Sequence, residues 1–229
     1  MRTLINELSA LLGASSLFIG DDISEKYYAD WSGADPCAPV VLVKPKTTDQ
    51  LSKVMALCHQ YDQPVVVQGG LTGLAGGATP LDGELAVSLE RMQGIEEIDP
   101  LAMTLTALAG TPLQVLQDAA DEHNLSLPLD LGARGSCQIG GNVSTNAGGT
   151  EVIRYGMTRS LVLGLEAVLA DGTVITAMNK MVKNNSGYDL KHLFIGSEGT
   201  LGIVTRVVLQ LQPKAGSSHT ALCGLNSYE

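Results

Sequence analysis

The sequence predicts a mixed α+β fold. Apolar strand-like runs alternate with a helical period at 40–43, 47–58 and 64–68, and an Asp171-Gly172 turn joins two further apolar runs at 161–170 and 173–177. The connections between these elements are short. With 45% hydrophobic and 17% charged residues the composition is globular, and 4% aromatics leave the core to Leu, Val, Ile and Ala.

Taken in order, Leu4, Leu8, Leu11 and Leu12 lie at helical spacing over 3–12, with Gly13 as the stop. Residues 20–39 are polar and turn-rich, and Trp31 is expected to anchor this segment by packing beneath it. Val40–Val43 reads as a strand. Thr47 and Gln50 form a capping box for a helix whose apolar stripe is Leu51, Val54, Met55 and Cys58. The strand Pro64–Gln68 runs directly into GGLTGLAGGATP. Strands follow at 85–89 and 103–109. Thr111, Pro112 and Gln114 then open a helix to about 123, as N-cap, N1 and N3 residues. The hairpin at 161–177 turns on Asp171-Gly172. A short helix near 188–193, the loop GSEGTLG and a strand at 201–211 come next. HTALCGL (219–225) reads as a new strand, and Asn226, Ser227, Tyr228 and Glu229 as the opening of a helix, so a truncated chain is expected.

The net charge of −10 argues against nucleic acid as a partner, because no basic cluster could follow a phosphate backbone. MRTLINELSALLG lacks the pattern of a secretory signal, and no run approaches the ~18 apolar residues of a membrane span. A cytoplasmic protein is expected, with peripheral membrane association left open. Cys37, Cys58, Cys137 and Cys223 are far apart and read as reduced, mostly buried thiols. The histidines at 59, 123, 192 and 219 are equally scattered, so no metal site is expected.

Three segments set glycines beside small hydroxyl and amide residues: 68–80, 128–150 and 196–203. Glycine lets main-chain N–H groups approach a ligand, and successive N–H groups make nests for anions such as a pyrophosphate. Thr72, Ser136, Asn142, Thr145 and Asn146 could bind a polar ring edge. No P-loop, dinucleotide-binding fingerprint or nucleophile elbow occurs. On these grounds alone the segments fit either an extended, phosphate-bearing cofactor or a fold rich in loops.

GGLTGLAGGATP, LPLDLGARGSCQIGGNVSTNAGG, RYG, LEAVLADGTVI and GYDLKHLFIGSEGTLGIVT occur in this order. Together they resemble the PCMH-type FAD-binding domain of the vanillyl-alcohol-oxidase superfamily. The likeness is to the branch that holds D-2-hydroxyglutarate dehydrogenase, D-lactate dehydrogenase and the glycolate oxidase flavin subunit. It covers about 35–213 and implies two α/β subdomains, 35–95 and 96–213, with FAD between them. Residues 1–34 would then be an N-terminal segment, and 214–229 the start of a substrate or cap domain.

By that resemblance the cofactor would be held by Gln68, Gly69, Gly70, Leu71, Thr72, Gly73, Leu74, Gly77 and Ala78 in the first segment. The second segment would supply Pro128, Leu129, Asp130, Gly135, Ser136, Ile139, Gly140, Gly141, Asn142, Thr145, Asn146 and Gly148. Glu198, Gly199, Gly202 and Ile203 would close over the adenosine or ribityl side. Covalently flavinylated relatives carry a histidine after the first Gly-Gly pair. Leu71 stands there, so non-covalent FAD is expected. Asp130 could equally be a turn residue, Arg134 and Arg154 could pair with surface acids, and Tyr155 could pack or line the flavin pocket. His192 is read as a surface or cap residue. The implied activity is oxidation of a small 2-hydroxy acid to a 2-oxo acid, with an electron acceptor unspecified. The alternative is a flavin-binding module active only with a partner chain. No catalytic residue is assigned.

Overall fold

Leu4, Leu8 and Leu12 bury one face of helix α1 (Arg2–Leu12), whose last bond runs from the Gly13 N–H to the Ser9 carbonyl and which ends there because Gly13, at φ 76°, turns the chain out of the helix. The computed structural model describes residues 1–217 and 219–227. A short strand β1 (Leu17–Phe18) and two 3-10 turns (Gly20–Asp22, Glu25–Tyr27) lead to β2 (Val41–Val43). Helix α2 (Thr48–Gln60) is capped as its sequence predicts. Thr47 Oγ1 accepts from the Gln50 N–H at 3.2 Å, and Gln50 Oε1 accepts from the Lys46 N–H at 2.8 Å. Strands β3 (Val65–Gln68) and β4 (Leu85–Ser88) complete a four-stranded sheet in the order β1-β2-β4-β3, with β2 and β3 both parallel to β4.

Alternation along these strands divides their side chains between two faces. Val41, Val43, Leu85 and Val87 join α1 and α2 in the main core, while Leu42, Val66 and Ala86 pack on Ile23 and Tyr27 behind the sheet. Parallel neighbours need a long crossover, most often a helix. Between β3 and β4 the crossover is the glycine-rich stretch 69–84, which forms no helix.

The second sheet is antiparallel throughout. β5 (Ile95–Asp99) and β6 (Thr104–Leu108) precede α3 (Leu113–Glu122) and β7 (Leu125–Ser126). Three short helices follow, α4 (Ile139–Ser144), α5 (Val152–Tyr155) and α6 (Thr158–Leu161). Then come the hairpin β8 (Val162–Val168) and β9 (Val174–Ala177), α7 (Lys191–Phe194), β10 (Ile203–Gln210) and β11 (Gln212–Pro213). The sheet order is β5-β6-β10-β8-β9, with the long, buried β10 at its centre, and β11 pairs with β7 separately. The two sheets are tied at α2. Thr48 Oγ1 donates to the buried Glu166 of β8 at 2.8 Å, and Ser52 Oγ donates to the Gly172 carbonyl at 2.6 Å.

Four expectations are corrected. Thr111 does not cap α3. Pro112 is the N-cap, and Thr111 Oγ1 instead closes the preceding turn on the Leu108 carbonyl at 2.7 Å. Trp31 is no packing anchor: it is 70% exposed, at the mouth of the cleft described below. Residues 219–225 form no strand. Of the four thiols, all free, only Cys58 and Cys137 are buried. The helix opening expected at 226–229 falls partly on Tyr228 and Glu229, which lie outside the described residues, and Asn226 and Ser227 belong to no element.

Candidate functional site

The crossover after β3 faces α4 and the start of β10 across a cleft of about 730 Å³. Of the residues singled out from sequence, Gly69, Gly70, Leu71, Thr72, Gly73, Leu74, Gly77 and Ala78 line one wall. Gly140, Gly141, Asn142 and Thr145 line the other, and Glu198, Gly199 and Ile203 close an end. Each of these three segments contains a non-glycine residue near the cleft in the left-handed region: Leu71 (φ 58°), Asn146 (φ 48°) and Glu198 (φ 52°). Such backbone costs about 1–2 kcal/mol outside glycine and asparagine, and it collects at ligand sites.

The first wall is pinned from below by a residue the sequence did not flag. The buried Asp30 carboxylate accepts from the Ser32 N–H at 3.0 Å, from Thr79 Oγ1 at 3.2 Å and from the Ala78 N–H at 3.4 Å. Burial pushes the Asp30 carboxyl up, but the bonds from Ser32, Ala78 and Thr79 outweigh it and hold its pKa below the ordinary aspartate value. Gln68 is fully buried beside it and does not face the cleft. Its Nε2 ties the Tyr27 and Ala78 carbonyls together at 2.8 and 3.0 Å. The Trp31 N–H donates to the Gly73 carbonyl at 2.9 Å. The whole loop is therefore held by its side chains and carbonyls.

Its N–H groups are left over. Among the described residues, no backbone N–H from Gly69 to Gly77 donates to a protein acceptor. A run of this kind is an anion nest. The opposite wall is the reverse. The N–H groups of Ile139, Gly140, Asn142, Thr145, Asn146 and Ala147 all find carbonyl partners. Left unpaired there are the Gly141 N–H and two buried side-chain oxygens, Gln138 Oε1 and Asn142 Oδ1; under the first wall Gln68 Oε1 is unpaired as well.

The glycines separate on the same line. A Cβ on Gly70 would lie 2.8 Å from the Ser136 carbonyl carbon and 2.9 Å from Cys137 Cα, so that glycine lets two loops touch. A Cβ on Gly140 would meet Ala109 Cβ at 2.6 Å. At Gly141 it would meet nothing within 4 Å, and at Gly73 and Gly77 only side-chain oxygens at 3.4 and 3.5 Å. Gly141 thus leaves open space beside the main chain, and at Gly73 and Gly77 a methyl would make only ordinary contact with a carboxylate oxygen.

Other residues expected at the site lie elsewhere. Pro128 and Leu129 are buried, and Ile139 is fully buried in the main core. Gly135 and Ser136 are exposed and do not line the cleft. Asp130 forms a 2.7 Å ion pair with Arg134, and with Gly148 it borders a shallower depression that meets the cleft at Leu131 and Gly132. Asn146 turns its Oδ1 to the Arg159 N–H at 2.9 Å. Gly202 is packed under Val168 and Phe194. Arg154 stacks on the neighbouring Tyr155 ring, and neither lines the cleft. His192 sits beside Arg159 and Asp189, away from the cleft lining. Burial is the main cause that lowers its pKa, with Lys191 and Arg159 adding to it against Asp189.

Sequence reasoning missed Asp30, Trp31, Gln138 and Cys137 as cleft-lining residues. Only Gln138 and Cys137 fall in a glycine-rich segment that could have pointed to them. Asp30 and Trp31 reach the site through the tertiary fold alone. Burial raises the Cys137 thiol above its ordinary value, so it lines the cleft as a neutral, unreactive group.

A ligand suited to this cleft is elongated, with an anionic stretch for the N–H wall and hydrogen-bond donors for the acceptor wall. FAD has both, in its diphosphate and in its hydroxyl and ring N–H groups, so the residues present fit the group implied by the motifs.

Comparison with known proteins agrees with this. A D-2-hydroxyglutarate dehydrogenase of Bos taurus, named mitochondrial, is 45% identical over 195 residues, which are 85% of this chain and 36% of that protein. The Arabidopsis thaliana protein of that name is 42% identical over 98% of this chain and 40% of its own length. A Xanthomonas citri D-2-hydroxyglutarate dehydrogenase is 43% identical over 90% of this chain and 43% of its own length. The chain thus spans about two fifths of the curated relatives it matches. The mitochondrial names overturn the cytoplasmic expectation. In fold, alkyldihydroxyacetonephosphate synthase matches 93% of this chain and 40% of its own with a TM-score of 0.83 at 21% identity. A p-cresol methylhydroxylase matches 94% of this chain and 44% of its own with a TM-score of 0.79 at 21% identity. The model of the FAD binding domain matches residues 39–178, more than half of the chain, and the protein belongs to that family.

Proposed function

We propose that this chain is the FAD-binding part of a flavin-dependent D-2-hydroxyacid dehydrogenase, with D-2-hydroxyglutarate as the first substrate to test. The relatives at 42–45% identity are named for that acid. The observation that carries the reading is the run of unpaired N–H groups from Gly69 to Gly77 facing buried, unpaired acceptors across one cleft. The first wall holds the diphosphate. Asp30, Gln68 and Thr79 keep that wall in shape before the ligand arrives, so little ordering cost is left for binding. Gly73, Gly77 and Gly141 keep the main chain bare where the cofactor lies. FAD bound here supplies the two-electron redox chemistry that takes the 2-hydroxy acid to the 2-oxo acid.

Leu71 offers no attachment point in the first loop, so the flavin is held without a covalent bond. In this reading residues 35–95 and 96–213 are the two halves that enclose the cofactor, 1–34 brace the first, and 214–229 lead toward the substrate region. Groups that bind and deprotonate the acid are assigned to the part of the longer relatives that this chain does not span. The test is the visible spectrum of the purified chain after reconstitution with FAD, before and after heat denaturation. A flavin band that follows the protein and is released on heating is the expected result. A chain that takes up no FAD overturns the reading.

A further inference from the structure

We infer that Gln138 is a cofactor-reading residue, and that with Asn142 it selects a neutral hydrogen-bond donor on the ligand. The inference rests on the FAD reading above and deepens it. Gln138 is the extended N-cap residue of α4, and Asn142, whose N–H donates to the Gln138 carbonyl, stands in its first turn. They are only 7% and 6% exposed, and both line the cleft. Gln138 Oε1 lies 3.6 Å from the Cβ position of Gly69, so its amide rests against the start of the first wall. Buried amide oxygens without a donor are rare in folded chains, because each forfeits its hydration.

Of the unpaired buried amide oxygens, Gln68 Oε1 lies off the cleft, whereas Gln138 Oε1 and Asn142 Oδ1 belong to residues that line it, across from the unpaired N–H groups of the first wall. An ionised diphosphate has no proton to give an amide oxygen. The group that meets Gln138 Oε1 is therefore a hydroxyl or a ring N–H. That chemistry occurs on both halves of FAD, in the ribityl and isoalloxazine groups and in the adenosine. The exposed Glu198 carboxylate, 3.5 Å from the Cβ position of Gly77, adds another acceptor at the rim. Gln138 Oε1 thus orients the cofactor along the cleft by accepting from that donor.

Gln138→Met keeps the side-chain length and removes the acceptor, and it separates this role from a merely structural one by sign. The flavin-free variant is expected to melt about 2 °C or more above the parent, since an unpaired buried acceptor has been replaced by an apolar group. Its FAD affinity, titrated by flavin fluorescence, is expected to fall about tenfold, the equivalent of about 1.4 kcal/mol. A structural residue would do the opposite, lowering the melting temperature and leaving the affinity of the folded fraction unchanged. ADP is the second probe. If ADP affinity falls with that of FAD, the donor belongs to the adenosine half; if only FAD weakens, it belongs to the ribityl–flavin half. Should Gln138→Met fail to fold, Gln138→Glu answers the question, because a carboxyl still accepts from a donor but rejects a phosphate. Retained FAD binding supports the inference, and loss of all binding overturns it. Failure of the parent chain to bind FAD would instead defeat the proposed function, and equal FAD affinity of parent and Gln138→Met would defeat this inference alone.

Discussion

The two main glycine-rich segments look alike in sequence and do opposite things in the fold. Residues 69–77 form no regular element, tie the Gly73 and Gly76 carbonyls to the protein, and leave their N–H groups free. Residues 132–149 wind into turns and helix α4, spend most of their N–H groups internally, and leave two buried side-chain oxygens free. In the first segment Gly70 lets two loops touch, while Gly73 and Gly77 leave unpaired N–H groups at the cleft. In the second a glycine more often permits close contact, as Gly140 does with Ala109 and Gly148 with Met157. Glycine content alone does not separate these roles; what separates them is the destination of the backbone hydrogen bonds.

The most severe way to break this comparison is at Gly70, the point where the two segments touch. Gly70→Ala drives a methyl into the backbone at Ser136 and Cys137, which cannot retreat as a flexible side chain could. We expect a loss of about 3 kcal/mol or more in thermal or urea unfolding, with FAD binding abolished. A variant as stable as the parent would mean that the two walls do not meet there.

Asp30 comes next, because its carboxylate supports the donor wall through Ala78 and Thr79. Asp30→Ala is expected to cost about 2 kcal/mol, the range for hydrogen bonds to a charged group. The folded pKa of Asp30 is depressed. Its stabilisation is therefore complete above the ordinary aspartate value and is lost as the pH falls through the lower, folded value. The parent chain should accordingly lose melting temperature more steeply than Asp30→Asn below about pH 4. Parallel melting curves for the two across acid pH would remove Asp30 from this role.

Much of the scaffold was legible from local pattern. The capping box at Thr47 and Gln50, the stripe of α2, the Asp171-Gly172 hairpin and the strands around them follow from spacing and turn chemistry. Helix α4 was not legible, because IGGNVS has two glycines and two β-branched residues in six positions. It forms because its glycine lies flat on Ala109, and Ile139 and Val143 enter the main core. The same limit applied to the site. Motif chemistry marked the walls, but Asp30 comes from a turn-rich segment that becomes part of the site only when Thr79 and Ala78 fold onto it. Trp31 was misread because a lone tryptophan is ordinarily a core anchor, and here its backbone, not its ring, makes the structural contact.

A gentler probe sharpens the contrast within α4 itself. Gly141→Ala places a methyl where no atom lies within 4 Å, at ordinary helical backbone. Removing glycine from a helix gains about 0.5–1 kcal/mol, so the flavin-free chain should become more stable. The same methyl opens onto the cleft, so FAD affinity should fall. Greater stability with unchanged affinity would indicate that the cofactor does not approach this part of the wall.

The smallest expected effect on stability is at Trp31, and it is the most direct report on where the ligand lies. Trp31 is the only tryptophan, and its ring is largely exposed at the cleft mouth. Trp31→Phe should change unfolding free energy by no more than about 0.5 kcal/mol, because few contacts are lost. In the parent chain, FAD titration should quench the single tryptophan emission in step with flavin uptake, and Trp31→Phe should erase that signal while binding persists. If flavin binds and the tryptophan emission stays constant, the ligand does not occupy the cleft between the two glycine walls, and the division of donors and acceptors seen there serves another molecule.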